Sequence, residues 1–302
     1  MAFLPIFIAA ALAASPADWE KAANERIEKI RKGDFTLTVV LPDDAPAPKL
    51  KVRVEQVRHD FNFGTCVAPR FLGEDKDSQK YQAFITELFN TVVCEDAMTW
   101  ETIEKKPGIR AFQDADSVLA FAEAHQMDVR GPCLFWNKKS HVQPWLQILK
   151  KGEMETAIMR HLLCIAPRYR GRLISWDVNN EMLDGCYYED ALGGNIAAHL
   201  FKAVRYLDPQ TPLFLNEYGI LESDGKTQRY LNLARWLQQQ SAAADGIGIQ
   251  EHSGERFVPT SVEEKHIGQP GRGPLVPQDV LRRLDALAEL GLPIHLTGLS
   301  FR

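Results

Sequence analysis

From residue 59 onward the chain repeats one unit: a short apolar run, a polar loop, then an amphipathic helix. Seven such runs occur, at 61–66, 91–94, 129–136, 173–178, 213–216, 246–250 and 294–297. Between them lie apolar stripes at helical spacing. Tyr81, Phe84, Ile85 and Leu88 form one, and Val118, Phe121 and Ala122 another. The others are Met154, Ile158 and His161; Ile196, Leu200 and Val204; Tyr230, Leu233 and Leu237; Val280, Leu284 and Leu287. Strands that are apolar throughout are buried on both faces, so the class is α/β, with a parallel sheet and right-handed crossovers. Two architectures fit: an open seven-stranded sheet, or a (β/α)8 barrel cut short after strand seven, since the chain ends at Arg302.

Residues 15–58 follow a different pattern. Ser15 reads as an N-cap with Pro16 at the first helical position. Trp19, Ala23, Ile27 and Ile30 then mark a helix that stops at Gly33. Phe35, Leu37 and Val39 alternate with polar residues, as do Leu50, Val52 and Val54, around a Pro/Asp turn at 42–48. This predicts a small β accessory unit over 34–58. Residues 1–14 are an apolar run with Ala11-Leu12-Ala13 as a cleavage-like site. The run is too short for a bilayer span of about 20 residues, and reads as a signal peptide of a secreted protein, extracellular or periplasmic. Residues 59–302 are then the main domain.

Charge excludes several partners. With 40 acidic and 35 basic residues the net charge is −5, and no long Lys/Arg run occurs. Neither nucleic acid nor a polybasic membrane contact is expected, and no other segment reaches membrane-spanning length. The five cysteines are odd in number, far apart and mostly in apolar runs, as structural thiols are. The eight histidines form no metal-binding spacing, so neither metal nor cofactor is expected.

In α/β barrels, chemistry sits at the C-terminal ends of strands. Those ends carry Glu95 and Asp96 after strand two, Trp136 and Asn137 after strand three, and Asn179-Asn180-Glu181 after strand four. Asn216-Glu217-Tyr218 follow strand five, and Gln250-Glu251-His252 follow strand six. Amides, carboxylates and Trp converging at one rim make a polar mouth. A carboxylic acid beside an amide, such as Glu181, can be a proton donor tuned by its surroundings. Trp100, Trp136 and Trp176 suit sugar rings or core packing.

These residues resemble a known family. Trp176-Asp177-Val178-Asn179-Asn180-Glu181 is close to the W-D-V-V-N-E motif of family 10 glycoside hydrolases, the xylanase family. In order along the chain, 89–98, 130–136, 245–252 and 292–297 resemble its second-, third-, sixth- and seventh-strand segments, so the resemblance covers about 58–302. It implies a (β/α)8 TIM barrel, preceded by the small N-terminal β unit, and a retaining endo-1,4-β-xylanase. Glu181 would be its acid/base, and Asn180 would hold the sugar 2-hydroxyl. Gln250 and His252 would support the nucleophile, while Asp96, Trp136, Asn137 and Tyr218 would line the sugar subsites. The partner implied is xylan or a related β-1,4-glycan, bound by a protein that is monomeric if complete.

The departures from the family pattern are specific. The family's nucleophilic Glu lies at the strand-seven end, where this chain reads Thr297-Gly298-Leu299-Ser300, so Gly298 occupies that position. Asp96 and Thr99 replace a sugar-binding Asn and Lys, while Pro132 and Asn137 replace two His. Retention needs a second carboxyl about 5–5.5 Å from the acid, and glycine cannot attack. Glu217 and Glu251 are the neighbouring carboxylates that could. A glycine there also leaves a void large enough for a small anion. Three readings follow: a xylan hydrolase, an inactive xylan-binding barrel, or a fragment of a longer active xylanase.

Overall fold

The computed structural model describes residues 16–39, 49, 51–94, 96–252 and 275–299. Its centre is one seven-stranded sheet, all parallel, in the order β1 to β7. The strands are β1 (Gly64–Cys66), β2 (Thr91–Val93), β3 (Asp128–Trp136), β4 (Ser175–Asn180), β5 (Leu213–Tyr218), β6 (Gly246–Glu251) and β7 (Ile294–Leu299). The principal crossover helices are α2 (Lys76–Leu88), α4 (Gln113–Ala124), α6 (Lys151–Tyr169), α8 (Ile196–Leu207), α9 (Asp224–Gln239) and α10 (Pro277–Ala288). Short helices α3 (Trp100–Ile103), α5 (Pro144–Gln147) and α7 (Tyr187–Leu192) lie in the loops after β2, β3 and β4. Sequential parallel order with a helix between each pair of successive strands is the winding of a (β/α)8 barrel, and the seven strands form a curled part of one.

Expected and observed strands agree closely, with an instructive difference at β1. Only Gly64–Cys66 pair with β2, although the expected strand began at Phe61. Upstream, the Asn90 side chain takes over the pairing: its amide donates to the His59 and Phe61 carbonyls and accepts from Phe63 N–H. The core lies between sheet and helices, where Val92, Val129, Leu134, Trp176, Val178, Leu215, Ile247 and Ile249 are almost fully buried under α4, α6, α8 and α9. At each fully buried medium or large apolar side chain this burial contributes about 1.5–3 kcal/mol.

The barrel interior is polar. Arg130 on β3 forms a two-pronged salt bridge with Asp177 on β4, and Asp177 accepts from Asn216 Nδ2 on β5 at 2.8 Å. Asn216 Oδ1 accepts from Thr297 Oγ1 on β7 at 2.6 Å. This chain of bonds crosses over β6 at Gly248, and the Phe214 ring lies against β6 at Gly246. A Cβ at Gly248 would lie 2.6 Å from Asn216 Oδ1, and one at Gly246 would enter the Phe214 ring.

Helix α1 (Pro16–Arg31) touches α10 and leaves Ile27 and Ile30 exposed. The β accessory unit expected over 34–58 is not seen as strands among the described residues. Residues 34–39 and 51–58 carry no ladder, and Phe35, Leu37, Val39, Val52 and Val54 stand exposed. Alternation makes a strand only where a partner covers the apolar face and completes the backbone bonds. The expected turn at 42–48 and the expected signal peptide at 1–14 lie outside the described residues. No described helix is long and apolar enough to cross a membrane. None of the five cysteines is in a disulfide.

Candidate active site

Three strands reach the mouth through irregular register. Between Asp177 and Asn180, β4 uses three residues where β5 uses two, from Phe214 to Asn216. Likewise β3 spends an extra residue between Arg130 and Cys133, and β7 one between Leu296 and Gly298. Such bulges re-aim the side chains that follow them. Here they leave Asp177 in the interior network and turn Asn180 and Glu181 toward the rim.

Glu181 is buried, with 4% of its surface exposed. Its backbone lies in the left-handed region at φ 60°, uncommon for a residue with a side chain. Two backbone bonds hold it there: its N–H donates to Asn216 O, and its carbonyl accepts from Gly185 N–H, both at 3.0 Å. Strain fixed in this way gathers at functional positions. One Glu181 oxygen meets Lys138 Nζ at 2.6 Å. Burial is the largest single influence and works against the Lys138 charge, but the bond to Glu181, its negative charge and the Tyr218 hydroxyl together outweigh it and raise the ammonium above its ordinary value. Lys138 Nζ also sits 4.2 Å from the centre of the Tyr218 ring, with Lys226 Nζ at 3.7 Å.

Across the mouth, Gln250 Nε2 donates to Asn180 Oδ1 at 3.0 Å. Gln250 is paired in register with Gly298. A Cβ built on Gly298 would lie 2.9 Å from His252 Cε1 and Nε2. A continuous contact path thus runs from Glu181 through Asn180 and Gln250 to Gly298 and His252, with Tyr218 on the β5 side. The void expected beside Gly298 is partly filled by the His252 ring.

Other expected residues take different places. Asn137 is fully buried and does not face the mouth. Its amide donates to Gly185 O and Glu189 Oε2, and its oxygen accepts from Tyr188 N–H. All this side chain's capacity goes to stapling the β3 loop to the β4 loop. Trp136 is half-buried and stacks on His141 with ring centres 3.6 Å apart. Asp96 is exposed on the turn after β2, and Glu95 lies outside the described residues. Trp176 and Trp100 belong to the core: Trp176 bonds Asp208 at 3.1 Å, and Trp100 stacks on buried His161.

Of the alternative nucleophiles, Glu217 is fully buried, and both its oxygens are taken. Leu183 N–H reaches one at 2.8 Å and Tyr218 N–H the other at 3.1 Å. Burial pushes its carboxyl up to about 7. Glu217 is therefore a tie between β5 and the β4 loop, with no oxygen presented to a substrate. Glu251 is also buried, at 2% exposure. No metal-binding group of His, Cys, Asp or Glu occurs among the described residues. The residues missed by sequence reasoning are Lys138 and His141. Both follow Trp136 closely, but a lysine or histidine in a loop shows its partner only once the loop is folded.

The sequence model of Glycosyl hydrolase family 10 matches residues 54–302. The chain belongs to that family. It is 33% identical over 283 residues to endo-1,4-beta-xylanase 1 of Arabidopsis thaliana, covering 93% of this chain and 28% of that protein. It is 30% identical to anti-sigma-I factor RsgI6 of Acetivibrio thermocellus, covering 92% of this chain and 34% of the relative. A GH10 endoxylanase from a sugarcane soil metagenome has a similar fold, with TM-score 0.66 and 26% identity over 79% of this chain and 66% of that one. The chain spans about a quarter to a third of the length of endo-1,4-beta-xylanases 1, 2 and 3 of Arabidopsis thaliana. Within the barrel, Glu181 directly follows β4 and Gly298 lies on β7.

Proposed function

We propose that this family 10 chain is a xylan-directed β-glycanase barrel in which Glu181 is the general acid/base, and that Gly298 leaves it without the attacking carboxylate. The observation that carries the reading is the path from buried Glu181 through Asn180 and Gln250 to Gly298 and His252. That path spans the two rims between which a glycosidic bond would lie. Asn180 and Gln250 present amides to sugar hydroxyls, and Tyr218 offers a ring face beside the acid. Glu181 protonates the leaving oxygen, but without a carboxylate opposite no glycosyl-enzyme forms. Relatives named endo-1,4-beta-xylanase support xylan as the polysaccharide. The apolar stretch at 1–14 supports secretion. A second reading, a barrel that binds xylan without cleaving it, is favoured by Gly298 together with the Lys138 contact on Glu181.

The test is hydrolysis of an aryl β-xylobioside by this chain and by its Gly298→Glu variant. The reading expects slow or no turnover by the first and a large gain in the second, with the β configuration retained. Efficient retaining turnover by the unaltered chain contradicts it.

A further inference from the structure

Beside Lys138, outside the path just described, the β3 and β4 loops border an open cavity of about 680 Å3. Its floor is fixed by the Asn137 staple, and its rim carries three ammonium groups, Lys138, Lys139 and Lys151. Two acids line it as well. Asp184 is already matched by Lys226 at 2.9 Å and Arg229 at 3.4 Å. Asp190 accepts from the Cys186 thiol. Lys151 uses one proton on Leu192 O at 2.7 Å and keeps the others. Lys139 and Lys151 meet no carboxylate among the described residues. The cavity is therefore cationic within a chain of net charge −5.

We propose that this cavity receives a carboxylate-bearing sugar, a uronic acid branching from the glycan, and that Lys138 is shared between that branch and Glu181. The proposal rests on the glycan reading above. Lys138 is one-third exposed at its side chain and already bridges the cavity rim and Glu181. A flexible ammonium with three donors can serve two carboxylates at once. An anionic branch in the cavity would draw Lys138 partly off Glu181, loosening the ion pair as the correct substrate arrives. A neutral chain leaves that ion pair intact. Discrimination between acidic and neutral glycans then comes from the cavity, and the mouth serves both.

The experiment is calorimetric binding of two probes to the full chain: neutral xylotetraose, and the same backbone with one glucuronic acid branch. Exposed ion pairs are worth up to about 1 kcal/mol, so the acidic probe should bind roughly fivefold tighter at low salt. That preference should shrink at about 0.5 M salt, where charges a few ångströms apart are screened. A Lys139→Gln/Lys151→Gln variant, checked for folding by circular dichroism, should lose the preference and keep its neutral binding. Equal affinity for both probes overturns the proposal alone. So does a preference that survives both this variant and Lys138→Met. Binding of neither probe contradicts the xylan reading and removes this proposal with it.

Discussion

The ends of β4 and β7 face each other across the mouth and are built to different standards. All six residues of β4 are buried, while β7 is half-exposed along its length. At the β4 end every functional side chain is held: Asp177 by Arg130 and Asn216, Asn180 by Gln250, Glu181 by Lys138. At the β7 end one side chain, Thr297, reaches into the interior network, and the next residue is a glycine. The β4 rim thus carries a buried carboxyl group held by Lys138, and the β7 rim carries no side chain at position 298. On the proposed reading, the barrel keeps the geometry of its rim without one catalytic partner, because the network that positions the rim lies a layer below it.

The largest effect should come from filling the deficient end. Gly298 does not have a positive φ, so a side chain suits its backbone, and only the exposed His252 ring must turn aside. Gly298→Glu should raise aryl xylobioside turnover by about 10⁴-fold, since losing a covalent nucleophile costs on that order. Steady-state rates check it. Next comes the layer below. Asp177→Ala strands Arg130 in the barrel interior and should destabilise the protein by about 3–5 kcal/mol in urea unfolding.

A third effect separates Glu217 from Glu181. Burial raises Glu217 from 4.5 to about 7, so the folded chain holds that proton more tightly than the unfolded chain. Stability from this group is fully present below pH 4.5 and is lost as pH rises to about 7, by up to about 3 kcal/mol. Glu217→Gln should flatten that slope in denaturant titrations across this window. The smallest effect belongs to β7. Thr297→Val removes the bond to Asn216 and should cost about 1 kcal/mol, measured by thermal unfolding. In the Gly298→Glu background it should also lower kcat more than it raises KM, because it loosens the strand that carries the new carboxylate.

What the sequence disclosed and what it hid divide along physical lines. The seven strands were legible because short apolar stretches recur between amphipathic helices, and the Trp176–Glu181 motif marked the β4 rim because it closes such a stretch. The side-chain network was not legible. Arg130, Asp177, Asn216 and Thr297 come from four different strands and meet only once the sheet has curled, and the sequence of one strand does not show its neighbours. Asn137 looked like a sugar ligand from its place after Trp136, yet its partners lie in the loop about 50 residues later. Phe84 and Leu88 belong to the expected α2 stripe but stay exposed, so periodicity told of a helix without telling how much of its face is covered. The alternating residues of 34–58 show the same limit for strands.

The central claim is that this rim has an acid and no nucleophile. Incubating the chain with an activated 2-fluoro xylobioside, which accumulates the glycosyl-enzyme, followed by peptide mass spectrometry, tests it directly. The account predicts no covalent sugar on the unaltered chain and an adduct at position 298 in the Gly298→Glu variant. An adduct on Glu217, Glu251 or any other carboxylate of the unaltered chain would contradict it.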